Sequence, residues 1–305
     1  MLDTCVELGI ETVELGCANW SKAPHVQLDE LLADVGKRRQ FKQELDTRGI
    51  EIAALNCSGN QLYPGERGKL HKEGVNKTIQ LANLLEVDKI VMMSGCPGGS
   101  EQDTTPNWIT NPILQEHYDI MDWQWNKVFF PYWHAQAAYA RENGVHKIAL
   151  ENHGYNLVSN PETFLKLRNE VGLTIGINFD PSHLMWMGGD PITAIRTLGN
   201  SIYHVHAKDV RIERYQSKIN GLIDVKPMSE FHDRSWNYVA LGYGHDLAYW
   251  KEFFVNLKMV GYEGPVVLEM EDVSMTPLTG VVKSMEVLKQ AVPRIFDEVQ
   301  VKITR

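Results

Sequence analysis

Short runs rich in Val, Ile and Leu alternate along the chain with longer stretches whose apolar residues recur every three or four positions. Seven runs predict strands: Thr12–Gly16 (TVELG), Glu51–Asn56 (EIAALN), Lys89–Ser94 (KIVMMS), Lys147–Asn152 (KIALEN), Thr174–Asp180 (TIGINFD), Ile202–His206 (IYHVH) and Pro265–Met270 (PVVLEM). Stretches such as Gly74–Leu85 and Trp133–Asn143 predict the helices between them. Apolar strands alternating with helices imply a parallel sheet covered on its faces. Segments such as DTRGIEIAAL, NEVGLTIGI and KMVGYEGPVVL place a Gly between helix and strand, where the left-handed conformation closes a helix. This α/β rhythm predicts a single (β/α)8 TIM barrel over residues 1–305. Only seven strands are counted, and Leu2–Gly9 reads as the first helix, so the first strand is expected to be absent from the amino terminus. An open seam or an unrecognised strand are the alternatives. A doubly wound sheet is disfavoured because no G-x-G-x-x-G follows the first strand.

Two connections exceed ordinary loop length. Residues 96–131 carry Trp108, Trp123, Trp125, Phe129 and Phe130, and residues 210–246 carry Arg211, Arg214, Tyr215, Trp236 and Tyr238. Both leave carboxyl ends of strands, where barrels keep their chemistry. They predict a lid, a binding wall or a subunit contact.

Composition narrows the class. The 305 residues hold 30 Lys plus Arg against 39 Asp plus Glu, a net charge of −9 that argues against nucleic-acid binding. No apolar run is long enough to span a bilayer, and MLDTCVELGIE does not read as a signal peptide. Cys5, Cys17, Cys57 and Cys96 are widely spaced and read as thiols of a reducing compartment, so the cytoplasm is expected.

The chemistry collects at strand ends. Glu151, Asp180, His206 and Glu269 each close an apolar run, so four strands can bring them to one point. Carboxylates with one imidazole and no thiolate suit Mn2+, Mg2+ or Co2+. Each is also readable alone as a polar strand terminus. His153 follows Glu151 by two positions and His183 follows Asp180 by three, while Lys208 follows His206 by two, so all three flank the set. His204 is as readable as a packing group one layer deeper, and Lys208–Asp209 as a solvated pair. GCPGGS lacks the Lys-Ser/Thr of a phosphate cradle, and no G-x-S-x-G, H-E-x-x-H or C-x-x-C occurs.

The ordered motifs ALEN, NFDPSH, HVHAKD and VLEMED resemble the xylose-isomerase-like barrel superfamily of sugar isomerases and epimerases. The resemblance implies Glu151, Asp180, His206 and Glu269 as ligands of Mn2+ or a similar ion, with His183 at the substrate. It also implies Glu151 and Glu269 as proton-transfer groups, as in the superfamily's ketose epimerases. WSKAPH (Trp20–His25), the stretch from FFPYWHAQ to SNPETF, KINGLIDVKP and LGYGHD are similar, more narrowly, to the catalytic barrel subunits of bacterial C-glycoside deglycosidases. That likeness implies a 3-oxo-C-glycoside substrate, a smaller β partner subunit in a hetero-oligomer, and His153 as the base. Lys208, Trp20 and Asn56 are further candidates for substrate contact. The chemistry expected is removal of the C2 proton beside a ketone followed by β-elimination of the aglycone. Isomerisation or epimerisation of a ketose is the alternative, and a non-catalytic barrel subunit is a third.

Overall fold

Seven parallel strands occupy the positions the apolar runs predict, in a computed structural model that describes residues 1–293. Residues 294–305 of the expected single domain lie outside the described residues. The strands are β1 (Thr12–Gly16), β2 (Glu51–Asn56), β3 (Lys89–Met93), β4 (Lys147–Glu151), β5 (Ile175–Phe179) and β6 (Ile202–Ala207). A hairpin of β7 (Asp209–Ile212) and β8 (Trp236–Val239) follows, and β9 (Val266–Leu268) completes the main sheet. That sheet runs β1-β2-β3-β4-β5-β6-β9, with every neighbouring pair parallel. Among the described residues no strand precedes the first helix, Leu2–Leu8, and β1 and β9 are the two edges of a nearly closed barrel.

The outer core lies between strands and helices, where Trp133, Trp250, Phe129, Phe164, Phe179 and Phe253 are fully buried. Inside the barrel the residues are small, with Ala54, Val91 and Ala149 in one layer against Tyr203. The register slips between Ile177 and Asn178, so that Tyr203 is the extra residue of a bulge on β6. Gly176 leaves space for the Tyr203 ring, since a Cβ there would lie 2.0 Å from it. Gly9 ends the first helix at φ 72°, as the helix–Gly–strand pattern predicts.

The long connections have different fates. In the first, helix Gln115–Trp123 runs through a π-helical turn, Gln124–Phe129, into helix Phe130–Glu142. Trp125 and Phe129 pack into the core, edge to face at 4.8 Å, rather than forming a free wall. In the second, the β7–β8 hairpin is a feature the apolar pattern did not reveal. It carries Trp236 and Tyr238 to the carboxyl face of the barrel. Among the described residues no helix is long and apolar enough to cross a membrane.

The floor of the barrel contains a buried lysine. Lys89 is 6% exposed, its Nζ donates to the Tyr203 carbonyl at 3.1 Å, and burial lowers its pKa to about 8. At neutral pH the ammonium is charged in both folded and unfolded chains, and the folded state bears the cost of desolvating it. That cost disappears as pH rises from about 8 to the unfolded lysine value, so wild-type stability should increase over that window. Lys89→Met is expected to gain about 1–3 kcal/mol at pH 7, with the advantage vanishing near pH 10. Urea titrations of both proteins across that range check the sign.

Candidate metal centre

Four strand ends place four ligand atoms together. Glu151 is the last residue of β4, Asp180 follows β5, His206 lies on β6, and Glu269 follows β9. One donor atom from each lies within 4.8 Å of the other three. Local sequence fixes the aim of Asp180: it caps helix Pro181–Trp186, and its Oδ1 accepts from the Ser182 amide at 2.8 Å. That leaves Oδ2 to face the centre.

The same division recurs at the other carboxylates. Glu151 Oε1 accepts from His183 Nε2 at 3.0 Å, while its Oε2 lies 3.6 Å from His206 Nδ1. Glu269 Oε1 accepts from Lys208 Nζ at 3.0 Å, while Oε2 turns inward. Asp180 Oδ2 and Glu269 Oε2 are buried and satisfied by no well-formed hydrogen bond, although Oδ2 lies 3.3 Å from His183 Nε2 and 4.0 Å from Lys208 Nζ, and Oε2 lies 3.0 Å from His206 Nδ1. Buried carboxylate oxygens left without donors are costly. A divalent cation is the group this oxygen-rich set with one imidazole fits.

The protonation of the centre reflects the same crowding. Burial, then repulsion from Glu269, pushes Glu151 well above the usual carboxylate range. Burial raises Asp180 to about 6. Burial would raise Glu269 too, but Lys208 and His206 outweigh it and hold that carboxyl low. Lys208 is desolvated at 3% exposure, yet Glu269, Asp180 and Glu271 keep its ammonium charged; Glu271 Oε2 lies 2.6 Å from Nζ.

The flanking histidines differ in availability. His183 Nδ1 faces the Trp186 indole N–H at 3.5 Å and the Tyr238 hydroxyl at 3.1 Å. An indole only donates, so Nδ1 is the acceptor and Nε2 carries the hydrogen given to Glu151. Both nitrogens are therefore occupied by protein. His153 donates Nδ1–H to the Gly154 carbonyl, which fixes the lone pair on Nε2. Burial lowers the His153 pKa, so the ring is neutral at pH 7. Its ring centre is 4.0 Å from that of His183.

These groups line a cavity of about 620 Å3, with Trp20, Ser58, Trp236 and Tyr238 on its walls. Trp20, in the loop after β1, is 45% exposed at the rim. Asn56 also lines the cavity, but its amide is engaged by Glu14 and the Ser58 backbone. Lys208 and Asp209 are not a solvated pair. Asp209 is fully buried, and its Oδ2 accepts from the amides of Gly242, Gly244 and His245, fastening the LGYGHD turn. His204 is fully buried on β6 two residues before His206, with its Nε2 2.8 Å from Glu14 Oε2.

Two participants escaped the sequence reading. Glu271 required knowing that Lys208 bends toward β9. Glu14 was detectable: an ionisable residue in the middle of TVELG, with inward parity, is costly without a partner.

A family model described as xylose isomerase-like TIM barrel matches residues 2–291. The uncharacterized protein YfiH of Bacillus subtilis (strain 168) is 52% identical over 297 residues, covering 96% of this chain and 94% of YfiH. Three solved structures share the fold. The probable 3-DHS dehydratase AsbF of Bacillus anthracis gives a TM-score of 0.64 at 18% identity, over 94% of this chain and 92% of that one. An IOLI protein with a bound zinc atom gives 0.61 at 18%, over 95% and 91%. D-psicose 3-epimerase of Clostridium cellulolyticum H10, with D-tagatose, gives 0.55 at 16%, over 95% and 84%. With the extent of the family match and the level of identity to YfiH, the chain belongs to the xylose isomerase-like TIM barrel family.

Proposed function

We propose that the protein is a divalent-metal-dependent sugar isomerase or epimerase that moves a proton on the carbon beside a ketone. The observation that carries this reading is the convergence of one ligand atom each from Glu151, Asp180, His206 and Glu269, beside His153, which lines the same cavity and has its Nδ1–H tied to the Gly154 carbonyl. The epimerase among the structural neighbours, and the neighbour with bound zinc, support it at family level. We take Mn2+ as the ion, with Mg2+ or Co2+ as substitutes, because the donors are mainly carboxylate oxygens.

When bound, a divalent ion supplies the positive charge that stabilises the oxygen of a ketone losing its α-proton. His153 accepts that proton at Nε2. Glu151 and Glu269 are poorer acceptors, because His183 holds one oxygen of the first and Lys208 one oxygen of the second. Glu269 has the most exposed side chain of the four ligands, at 32%, and lines the substrate cavity. The Lys208 ammonium donates to a sugar hydroxyl, and Trp20 and Trp236 shield the reacting carbon from water.

A second reading, cleavage of a 3-oxo-C-glycoside, is favoured by the base distinct from the ligands and by the aromatic wall. Trp236 stacks on Trp186 at 4.9 Å, a platform suited to a flat aglycone. Exposed Tyr215, Ile219, Ile223 and Val225 between β7 and β8 support a surface for the smaller subunit that reading requires. The test is incubation with Mn2+ in D2O. Deuterium entering the α-carbon of a free ketose, with its isomer appearing, supports the first reading. Free aglycone from a 3-oxo-C-glucoside, without ketose exchange, selects the second.

A further inference from the structure

The metal-centre reading describes one side of His206; the other side faces Glu14, which nothing in that reading uses. Glu14 is an inward residue of β1 paired in register with Ala54, and its side chain is 9% exposed. Its Oε2 lies 3.0 Å from His206 Nε2 and 2.8 Å from His204 Nε2. Its Oε1 accepts from Asn56 Nδ2 at 2.6 Å. The Asn56 amide is itself oriented, because its Oδ1 accepts from the Ser58 backbone N–H at 2.7 Å. One carboxylate from the first strand is thus clamped by an amide and set against two buried imidazoles on the sixth.

We propose that Glu14 is a positioning residue for the cation: its carboxylate takes the Nε2–H of His206 and so presents Nδ1 as the lone pair facing Glu151, Asp180 and Glu269. The inference rests on the metal-centre reading and adds a residue to it. An ionised carboxylate only accepts, so once a cation takes Nδ1 in place of the Glu269 contact, Glu14 holds the remaining ring hydrogen on Nε2. Carboxylate–histidine pairs of this kind fix ring orientation and raise ligand basicity, and losing the outer partner costs roughly 10–100-fold in metal affinity. The edge position of β1 gives the pair a second consequence. Glu14 ties one edge of the incomplete barrel to β6, next to the other edge strand.

Glu14→Gln separates this role from packing. Asn56 still requires an acceptor at the position of Oε1, so the new amide turns its N–H2 toward the histidines. Facing a donor, His206 must accept at Nε2 and carry its hydrogen on Nδ1, which blocks the ligand position. Competition of Mn2+ or Co2+ against a chromophoric chelator should then show roughly 10–100-fold weaker binding than wild type. Glu14→Asp should recover part of the loss, and His204→Gln should change affinity by less than about threefold, since His204 touches Glu14 and not the cation. In zinc-loaded wild type, 15N spectra should show His206 protonated at Nε2, and the visible spectrum of the Co2+ form should change in Glu14→Gln. Thermal melting of each metal-free variant guards against simple unfolding. Wild-type affinity and an unchanged Co2+ spectrum in a folded Glu14→Gln protein overturn the proposal. So do two cation equivalents per chain with one lost in His204→Gln, which would make Glu14, His204 and His206 a second cation site. If wild type itself binds no cation, the metal-centre reading fails first; that outcome is distinct, because Asp180→Asn would then also change nothing.

Discussion

Asp180→Asn should abolish tight cation binding while leaving a folded protein that, without metal, is more stable than wild type at pH 7.5. The Asn side chain keeps an oxygen for the Ser182 amide that starts helix Pro181–Trp186, so the local fold survives. The other position becomes an amide N–H2 where Asp180 offers a buried oxygen that makes no well-formed hydrogen bond. Affinity should fall by at least the ~100-fold that loss of an outer partner costs, since here a ligand itself is removed. The stability effect has a sign that follows from the raised carboxyl. Its folded-state pKa is about 6 against 3.8 for the free group. Stability from this residue is therefore complete below the unfolded value and is lost as pH rises through about 6. Near pH 7.5 the metal-free wild type bears a cost of up to about 3 kcal/mol that Asn does not. Chelator-treated samples, melted at pH 4.5 and pH 7.5, should show the variant's advantage only at the higher pH, and added Mn2+ should raise the melting temperature of wild type alone.

The second large effect is expected at His153. His153 lines the cavity beside the ligand set, and its Nδ1–H is given to the Gly154 carbonyl, which leaves Nε2 as its basic atom, so His153→Ala should lower kcat by roughly 10²–10⁴-fold. KM should move only a few-fold, and cation stoichiometry should not change, because His153 is not among the converging ligands. His153→Gln should not restore the rate, since an amide preserves volume and polarity but not basicity. Solvent deuterium exchange into substrate should fall with kcat. A variant that keeps wild-type exchange would move the proton transfer to Glu151 and Glu269, the pair the superfamily resemblance implies.

The strand positions were legible because each apolar run is bounded by Gly or a polar residue, and a barrel repeats that pattern. The convergence of Glu151, Asp180, His206 and Glu269 was legible for the same reason: parallel strands of one barrel end on one face. What distinguishes their two oxygens was not. The Ser182 amide, the His183 ring and the Lys208 ammonium each claim one oxygen only after the backbone turns beyond the strand. His183 illustrates the limit, because its spacing from Asp180 placed it in the cavity, whereas Tyr238 and Trp186, which occupy its Nδ1, arrive from a hairpin and a helix that periodicity does not connect. The β7–β8 hairpin was hidden by its composition. WNYV and DVRI are too short and too mixed to stand out from a polar connection. Trp125 and Phe129 show what aromatic density in a long connection does not reveal: a lid, a wall or a subunit contact was expected of residues 96–131, and a continuous helical segment buries these two in the core. Glu14 is legible as a charge inside a strand, but its partners His204 and His206 lie about 190 residues away, a pairing that no local pattern shows.

The central claim is that four side chains from four strands hold one cation, and crystals grown with Mn2+ test it most directly. Anomalous diffraction should show a single strong peak per chain, bonded to Glu151 Oε2, Asp180 Oδ2, His206 Nδ1 and Glu269 Oε2, with Glu14 still on the far side of the His206 ring. Fully soaked crystals without a peak there, or with Glu151 and Glu269 turned apart around ordered water, would contradict it.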